Sequence, residues 1–384
     1  MHVHNPLMTM TRRSFSVAGG AAALASFSIA RAQSERTIVL GQSAPFTGPA
    51  AQLGIQFYQG AKLCFDRVNA DGGIGKRLIE LRKLDDGYEP DRCAENTRKL
   101  IADDAFALFG YIGTPTSIAA LPLATRAKVP FIAPFTGAMA LREPFNKYAF
   151  HVRASYNEET GLIVKQLTTL GLKNIAVFYQ NDAYGNAGLN GVKLALAAQG
   201  LQPVAQATVE RNSTNVAQAV KTLTAAAPNA VVQISAYKSS AAFIREARKA
   251  GYGNTFYNVS FVGTQALADE LGKDGAGVVV SQVMPSPYTS ARPLAREFAT
   301  AVKLAGAGVK ANYSSMEGYV AAKVFVEGLR RAGARPTRES FIAGMESFGT
   351  YLMGDFPLSF SATNHVASKF VELSMLTADG RVRT

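Results

Sequence analysis

The sequence predicts an α/β protein made of two doubly wound parallel-sheet lobes. Three observations lead there. Short β-branched or apolar runs alternate with segments of helical period, the pattern of a parallel sheet with crossover helices. The alternation runs once before residue 155 and again after it. The chain beyond its N-terminal leader, about 350 residues, is too long for one core and suits two domains.

Residues 1–32 stand outside the predicted fold. Thr11-Arg12-Arg13-Ser14-Phe15 carries a twin-arginine pair, Val17 to Ile29 is a small apolar run, and Ala30-Arg31-Ala32 is an A-x-A cleavage pattern. This is a bacterial export signal, of the twin-arginine type or of the general type with two arginines in its basic region. The apolar run of 13 residues is too short to span a bilayer, and no later stretch reaches that length. Cleavage is expected after Ala32, which places the mature protein in the periplasm.

Thr37 to Gly41 reads as the first buried strand and Ser43 to Pro49 as a turn-rich loop. Gly60 to Ala70 has helical period and is stopped by Gly72-Gly73. Leu78 to Leu84 alternates as a strand, and Pro90 suits the start of the helix carrying Cys93 and Leu100. Ala105 to Phe109 is a strand that ends at Gly110-Tyr111-Ile112-Gly113-Thr114-Pro115-Thr116-Ser117, with a helix from Ile118 to about Lys128. Pro130 to Pro134 is the next strand, followed by a second polar turn, Phe135 to Met139. The second round has helices at 158–170, 190–199, 216–226 and 239–250, and strands at 174–179, 203–209, 230–234, 256–260 and 278–283. Pro285-Ser286-Pro287 reads as a linker, Met316 to Ala332 as a long helix and Phe341 to Ser347 as a shorter one. Phe356–Phe360 and Phe370–Leu376 read as strands, with a hairpin-type turn at Asp379-Gly380.

Several function classes are disfavoured. The net charge is +12, and removing the three signal arginines leaves +9, but no basic run exceeds two residues, so nucleic acid is not an expected partner. There is no CxxC or HExxH and only four histidines, so neither a metal nor a cofactor is expected. No nucleophile, base and orienter share a predicted site, so no enzymatic activity is expected. If the first strands are ordered 2-1-3, Cys64 and Cys93 lie on helices on opposite faces of the sheet and are expected unpaired.

In open sheets of this kind the binding site lies beyond the carboxyl ends of the strands. The turn Gly110–Ser117 is in that position. It gathers backbone N–H groups, hydroxyls and a helix N-terminus, which can hold a carboxylate or phosphate, or serve as an ordinary capped βα loop.

The order of pieces resembles the substrate-binding proteins of bacterial ABC importers, in particular the leucine/isoleucine/valine-binding type, over nearly all of residues 36–384. The markers are Gly41-Gln42-Ser43-Ala44-Pro45-Phe46-Thr47-Gly48-Pro49, Gly60-Ala61, Val68-Asn69-Ala70-Asp71-Gly72-Gly73-Ile74, Asp85-Asp86 with Glu89-Pro90, Gly110 to Ser117, Pro130 to Pro134 and Tyr184-Gly185. The resemblance implies a type I periplasmic binding protein. Its two lobes are joined by a three-segment hinge, at 36–153 with 286–350 and at 154–285 with 351–384. They close on a small molecule for a membrane permease, and a monomer is expected.

For site residues the resemblance implies that Thr114, with Gly113 and Pro115, holds a ligand carboxylate, and that Thr136 offers a backbone carbonyl. It implies that Tyr237 covers the ligand from the second lobe. Three positions depart from the pattern. Ala138 stands where a threonine touches both ends of the amino acid, Leu53 where an aromatic lines the side-chain pocket, and Ser260 where a glutamate pairs the ligand ammonium. A buried ammonium without an acid is costly. Either another acid such as Glu317 substitutes, or the ligand carries no ammonium. Tyr184 is a cleft residue or a loop anchor. Phe46, Leu53 and Phe135 are pocket walls or ordinary core. Arg142 and Arg153 read as structural cations paired with nearby acids, and are also the cations nearest the cleft. The expected ligand is a branched-chain or related amino acid, or else a non-amino carboxylate such as an aromatic or keto acid. A ligand sensor is the rival outside transport.

Overall fold

The structure, a computed structural model, describes residues 1–2 and 37–384. The export signal, with Arg12, Arg13, Arg31 and the cleavage point at Ala32, lies outside the described residues. The first round of alternation gives strands β1 (Thr37–Ala44), β2 (Leu78–Asp85), β3 (Ala107–Phe109), β4 (Phe131–Ile132) and β5 (Ala149–Phe150), with helices α1 (Ala51–Ala70), α2 (Pro90–Ala102) and α3 (Thr114–Arg126). The strands form one parallel sheet in the order β2-β1-β3-β4-β5. Leu100, Leu108, Tyr111, Ala120 and Phe131 pack on the α2–α3 face, while α1 buries Leu53, Phe57, Ala61 and Phe65 in the larger core. Cys64 and Cys93 are buried free thiols, one in each core.

The second round gives α4 (Tyr156–Thr169), β6 (Ile175–Gln180), α5 (Ala183–Ala197), β7 (Ala205–Val209), α6 (Ala217–Ala225), β8 (Ala230–Ile234), α7 (Tyr237–Lys249), β9 (Thr255–Asn258), α8 (Thr264–Leu271) and β10 (Val279–Gln282). The chain continues as α9 (Pro293–Leu304), α10 (Tyr313–Ala332), α11 (Arg338–Glu346), β11 (Gly349–Met353), β12 (Phe356–Phe360), β13 (Glu372–Leu376) and β14 (Val382–Arg383). The second sheet runs β7-β6-β8-β9-β10 in parallel and is closed by antiparallel β13 and β14.

α1 begins at Ala51 rather than near Gly60. Its glycines weaken helical propensity, yet packing requires them. α10 crosses α1 so closely that a Cβ at Gly60 would meet the Ser315 backbone, and one at Gly318 the Phe57 carbonyl. α8, α9 and β11 are elements that the sequence pattern did not mark.

The chain crosses between the lobes at 151–155, 283–292 and 361–371. The first and third crossings run side by side: the His151 N–H donates to the His365 carbonyl at 2.8 Å, and the Ala367 N–H to the His151 carbonyl at 2.8 Å. The expected assignment of 351–384 to the second lobe differs from this path. β11 and β12 form their own hairpin, Phe360 packs edge-on against Phe150 of the first sheet at 5.6 Å, and the chain joins the second sheet only at β13. The apolar alternation of Phe356, Leu358 and Phe360, all buried, is what holds the hairpin against the first lobe.

Candidate ligand-binding site

Thr114 to Ser117 is the first turn of α3 rather than a loop before it. Gly113 caps that turn at φ 97°, a conformation that favours glycine, and the Tyr88 ring occupies the space a Cβ would need. The Gly113 N–H donates to the Phe135 carbonyl at 3.2 Å, which ties the two polar turns together. Thr116 turns back on its own backbone, donating to the carbonyls of Ile112 and Gly113. Thr114 points forward: its hydroxyl lies 2.7 Å from that of Thr136, which also accepts from the Ala138 N–H at 3.2 Å. Pro115 and Ser117 are buried beside them, and the Ser117 hydroxyl has no partner. The first lobe thus presents two adjoining hydroxyls at a helix N-terminus, where the dipole favours an anion.

The facing wall is built around Arg153, which the sequence offers as a structural cation paired with a nearby acid or as one of the two cations near enough to the cleft to assist a carboxylate. It lies in the first crossover, just before Ser155 and Glu158 form a capping box on α4. Arg153 is buried, and its guanidinium stacks 4.5 Å over the Phe135 ring. Nη2 donates to the Ser260 hydroxyl, Nε forms an ion pair with Glu317 at 3.4 Å, and neither Nε nor Nη1 makes a hydrogen bond. Glu159, the residue after the capping box, accepts from the Ser260 N–H (2.7 Å), the Ser260 hydroxyl (3.1 Å) and the Ser281 hydroxyl (2.6 Å). The sequence carried no signal for Glu159.

The electrostatics follow from burial. Burial opposes the Arg153 charge, but Glu317 and then Glu159 outweigh it and raise its pKa. Burial raises Glu159 against the pull of Arg153 and the serine hydroxyls. Burial pushes Glu317 up to about 7, with Arg153 pulling down and Glu159 pushing up. Glu159 is saturated with hydrogen bonds, whereas Glu317 has only its ion pair.

Aromatic rings from both lobes complete the site. Phe261 packs on Tyr88 (5.9 Å), Phe135 (5.6 Å) and Tyr184 (4.4 Å), and Tyr184 packs on Tyr156 (5.4 Å). The Tyr156 and Tyr184 hydroxyls are buried without a partner. A cavity of only about 10 Å³ remains between Phe135, Ser260, Gln282, Tyr313, Ser314 and Glu317, room for roughly one water. The lobes must part to admit a solute.

The other predicted residues fall in different places. Tyr237 opens α7, and its hydroxyl accepts from the Gln52 N–H of the first lobe at 3.4 Å, beside Leu53, whose side chain abuts Gly263. Tyr237 and Leu53, both buried, therefore join the lobes where α1 meets α7 and the Gly263 turn. Phe46 is not brought to the cleft: its N–H is held by Asp85 at 2.7 Å, and its ring packs against Tyr58 with the Lys83 ammonium 5.0 Å above it. The Thr136 carbonyl already accepts from Arg142 at 3.4 Å. Ser260 is engaged by Arg153 and Glu159, and Glu317 by Arg153.

The Periplasmic binding protein family model matches residues 37–381. The chain belongs to the periplasmic binding protein family. It is 25% identical over 330 residues to Leu/Ile/Val-binding protein homolog 7 of Brucella abortus (strain 2308), covering 81% of each chain. Among solved structures it is similar to a possible leucine/isoleucine/valine-binding protein from Rhodopirellula baltica SH 1, at 33% identity and a TM-score of 0.87, covering 91% of this chain and 96% of that one. A substrate-binding periplasmic protein from Ralstonia solanacearum matches at 32% identity and a TM-score of 0.84, covering 90% and 99%. The fold is that of a type I periplasmic binding protein of the leucine/isoleucine/valine-binding type.

This periplasmic binding protein also joins its lobes outside the cleft. Glu89 of the first lobe pairs with Arg211 of the second at 2.9 Å and accepts from the Asn212 amide at 2.8 Å, and Arg211 reaches Asp182 at 3.4 Å. Burial opposes the Arg211 charge, and Glu89 more than restores it, so its pKa is raised.

Proposed function

We propose that this protein is the periplasmic solute-binding component of an ABC importer, and that it captures a small organic acid without an α-ammonium group between its lobes for a membrane permease. One observation carries the choice of ligand. Where the resemblance implies an acid for the ligand ammonium, Ser260 instead holds the guanidinium of Arg153. The Glu159 carboxylate at Ser260 is already filled by the Ser260 and Ser281 donors, and Glu317 is paired with Arg153. The group with unfilled hydrogen-bonding capacity there is the guanidinium, which favours an anion over an ammonium. Thr114, Thr136 and the unpaired edge of Arg153 supply donors for a carboxylate, and Phe135, Phe261, Tyr156 and Tyr184 supply an apolar, partly aromatic body for the pocket.

A second reading, a branched-chain or related amino acid, is favoured by Glu317, whose carboxyl has an ion pair with Arg153 but no hydrogen bond, and by the names of the Brucella and Rhodopirellula relatives. The two readings separate in one titration. Leucine and its keto acid, 4-methyl-2-oxopentanoate, share a side chain and differ at the α-position alone. An ammonium about 4 Å from a guanidinium costs about 4 kcal/mol at an effective dielectric of 20. Glu317 offsets part of this, so leucine should bind at least tenfold more weakly than the keto acid. Isothermal titration of the mature protein with this pair, with isoleucine, valine and benzoate alongside, reads the difference. Leucine binding as tightly as the keto acid, or more tightly, would overturn the reading.

A further inference from the structure

The turn after β2 holds a tyrosine in a backbone conformation that its side chain disfavours. Gly87 and Tyr88 both take positive φ, 57° and 67°. Glycine does so freely, whereas a bulky residue stays there only when its surroundings hold it. Tyr88 is held on two sides. Its N–H donates to the Asp86 carboxylate at 2.8 Å, which also accepts from the Ser43 hydroxyl at 2.7 Å. Its ring, fully buried, lies against Gly113, where even a Cβ would collide with it.

The turn places that ring between the lobes. Gln180 of the second lobe, at the carboxyl end of β6, donates to the Tyr88 hydroxyl at 3.4 Å, and the Phe261 ring packs 5.9 Å away. The neighbours of Tyr88 meet the second lobe as well. The Gly87 carbonyl accepts from the Asn212 amide at 3.1 Å, and Glu89 pairs with Arg211. Three consecutive residues of the first lobe are thus clamped by the second. On one side the Tyr88 ring touches the turn that carries Thr114. On the other it touches Phe261, which packs on Phe135 and Tyr184. Fixed by its backbone and by both lobes, the ring cannot swing aside for a longer guest without opening the clamp.

We infer that Tyr88 is a specificity-determining residue, the end wall of the cleft, whose ring sets the length of the acid around which the lobes can close. The inference rests on the cleft being the binding site proposed above. A short acid ends before the ring. A longer one must displace it and lose the contacts of residues 87–89 with the second lobe.

Isothermal titration of the mature protein with straight-chain 2-oxo acids, from 2-oxobutanoate to 2-oxooctanoate, tests this, with straight-chain 2-amino acids of the same lengths alongside. Each added methylene that is buried should raise affinity about fourfold. In the wild type the rise should stop and reverse within the series. Tyr88→Gly removes the ring and suits the positive φ, so the rise should continue to longer chains while the shortest acids bind more weakly. That variant can fail to fold. Tyr88→Asn, shorter than tyrosine and tolerant of this φ, should move the turning point the same way. Tyr88→Phe keeps the ring and should keep the wild-type turning point. Glu89→Ala, which weakens the clamp alone, should lower affinity by a similar factor at every length. A shift in the amino-acid series with no binding of any 2-oxo acid would sustain the wall and remove the ligand class proposed above. The inference is overturned if wild-type affinity keeps rising to the longest chain, if the turning point is the same in every available variant, if Tyr88→Phe moves it as far as Tyr88→Gly, or if neither series binds.

Discussion

Replacing Glu317 with glutamine isolates a charge that burial makes costly. The residue is 4% exposed, and its one charged partner within 4 Å, among the described residues, is Arg153. Burial, the largest cause, pushes its pKa from 4.5 to about 7. A folded-state pKa above the unfolded value means that the folded protein holds this proton more tightly. The group's stabilising contribution is full below the unfolded pKa, is lost as pH rises from about 4.5 through about 7, and changes little above that. At 1.36 kcal/mol per pKa unit the loss is about 3 kcal/mol. Unfolding entropy near 2.1 cal/mol/K per residue over roughly 350 residues is about 0.7 kcal/mol/K, so the midpoint moves by about 4 °C. Between pH 5 and pH 8 the wild type should therefore fall by about 4 °C relative to Glu317→Gln, measured by circular dichroism at fixed ionic strength without organic acids. His151 is present in both proteins and drops out of the difference to first order. A gap between the two that stays within about 1 °C across that range refutes the assignment of a buried, proton-hungry carboxyl to Glu317.

Three further expectations follow from single contacts. Thr114→Val removes one of the two paired hydroxyls and should cost about 1.5–3 kcal/mol of ligand binding if that hydroxyl bonds a carboxylate; unchanged affinity by isothermal titration takes Thr114 out of the site. Glu89→Ala breaks a half-exposed pair between the lobes, worth about 0.2–1 kcal/mol, so affinity should fall less than tenfold, mainly through faster release in stopped flow. A larger loss would mean the rim, not the cleft, holds the closed state. Gly318→Ala sets two effects against each other: alanine favours a helix by about 1 kcal/mol, but its Cβ meets the Phe57 carbonyl. The collision should win, lowering stability by about 1–3 kcal/mol in urea unfolding, and a rise in the midpoint would show that α1 and α10 can slide apart at little cost.

Most of the fold was legible because it is written locally. Gly72-Gly73 ends α1, Pro90 opens α2, and the alternation of strand and helix gives a doubly wound sheet with its turns at one end. The exceptions are elements whose stability comes from packing rather than pattern. α1 runs through Gly54 and Gly60 because neighbouring backbone needs that space, and β11 pairs only with β12, whose Phe360 packs against Phe150 of the first sheet. The site was less legible, for the same kind of reason. Phe46 is next to the expected loop in the chain, yet Asp85 pins its backbone and its ring turns outward to Tyr58 and Lys83. Arg153 sits in a crossover with no periodicity to mark its direction, and the serine it holds is 107 residues away.

What the sequence did carry was a set of departures, and the geometry gives them a common sense. The resemblance assigns Ala138 to a hydroxyl that touches both ends of an amino acid, and Ser260 to the acid that pairs its ammonium. Loss of either alone could be compensated. In the folded chain the Ala138 N–H is turned onto the Thr136 hydroxyl, the Thr136 carbonyl is shared with Arg142, and Ser260 carries the Arg153 guanidinium. Each group that would receive an ammonium is thus missing, already bonded, or beside a fixed positive charge, while the hydroxyls suited to a carboxylate remain. Two acids run the other way, but Glu159 is filled by the Ser260 and Ser281 donors and Glu317 is paired with Arg153. On the proposed reading a zwitterion meets repulsion at one end of this cleft, whereas a simple acid meets donors on both walls.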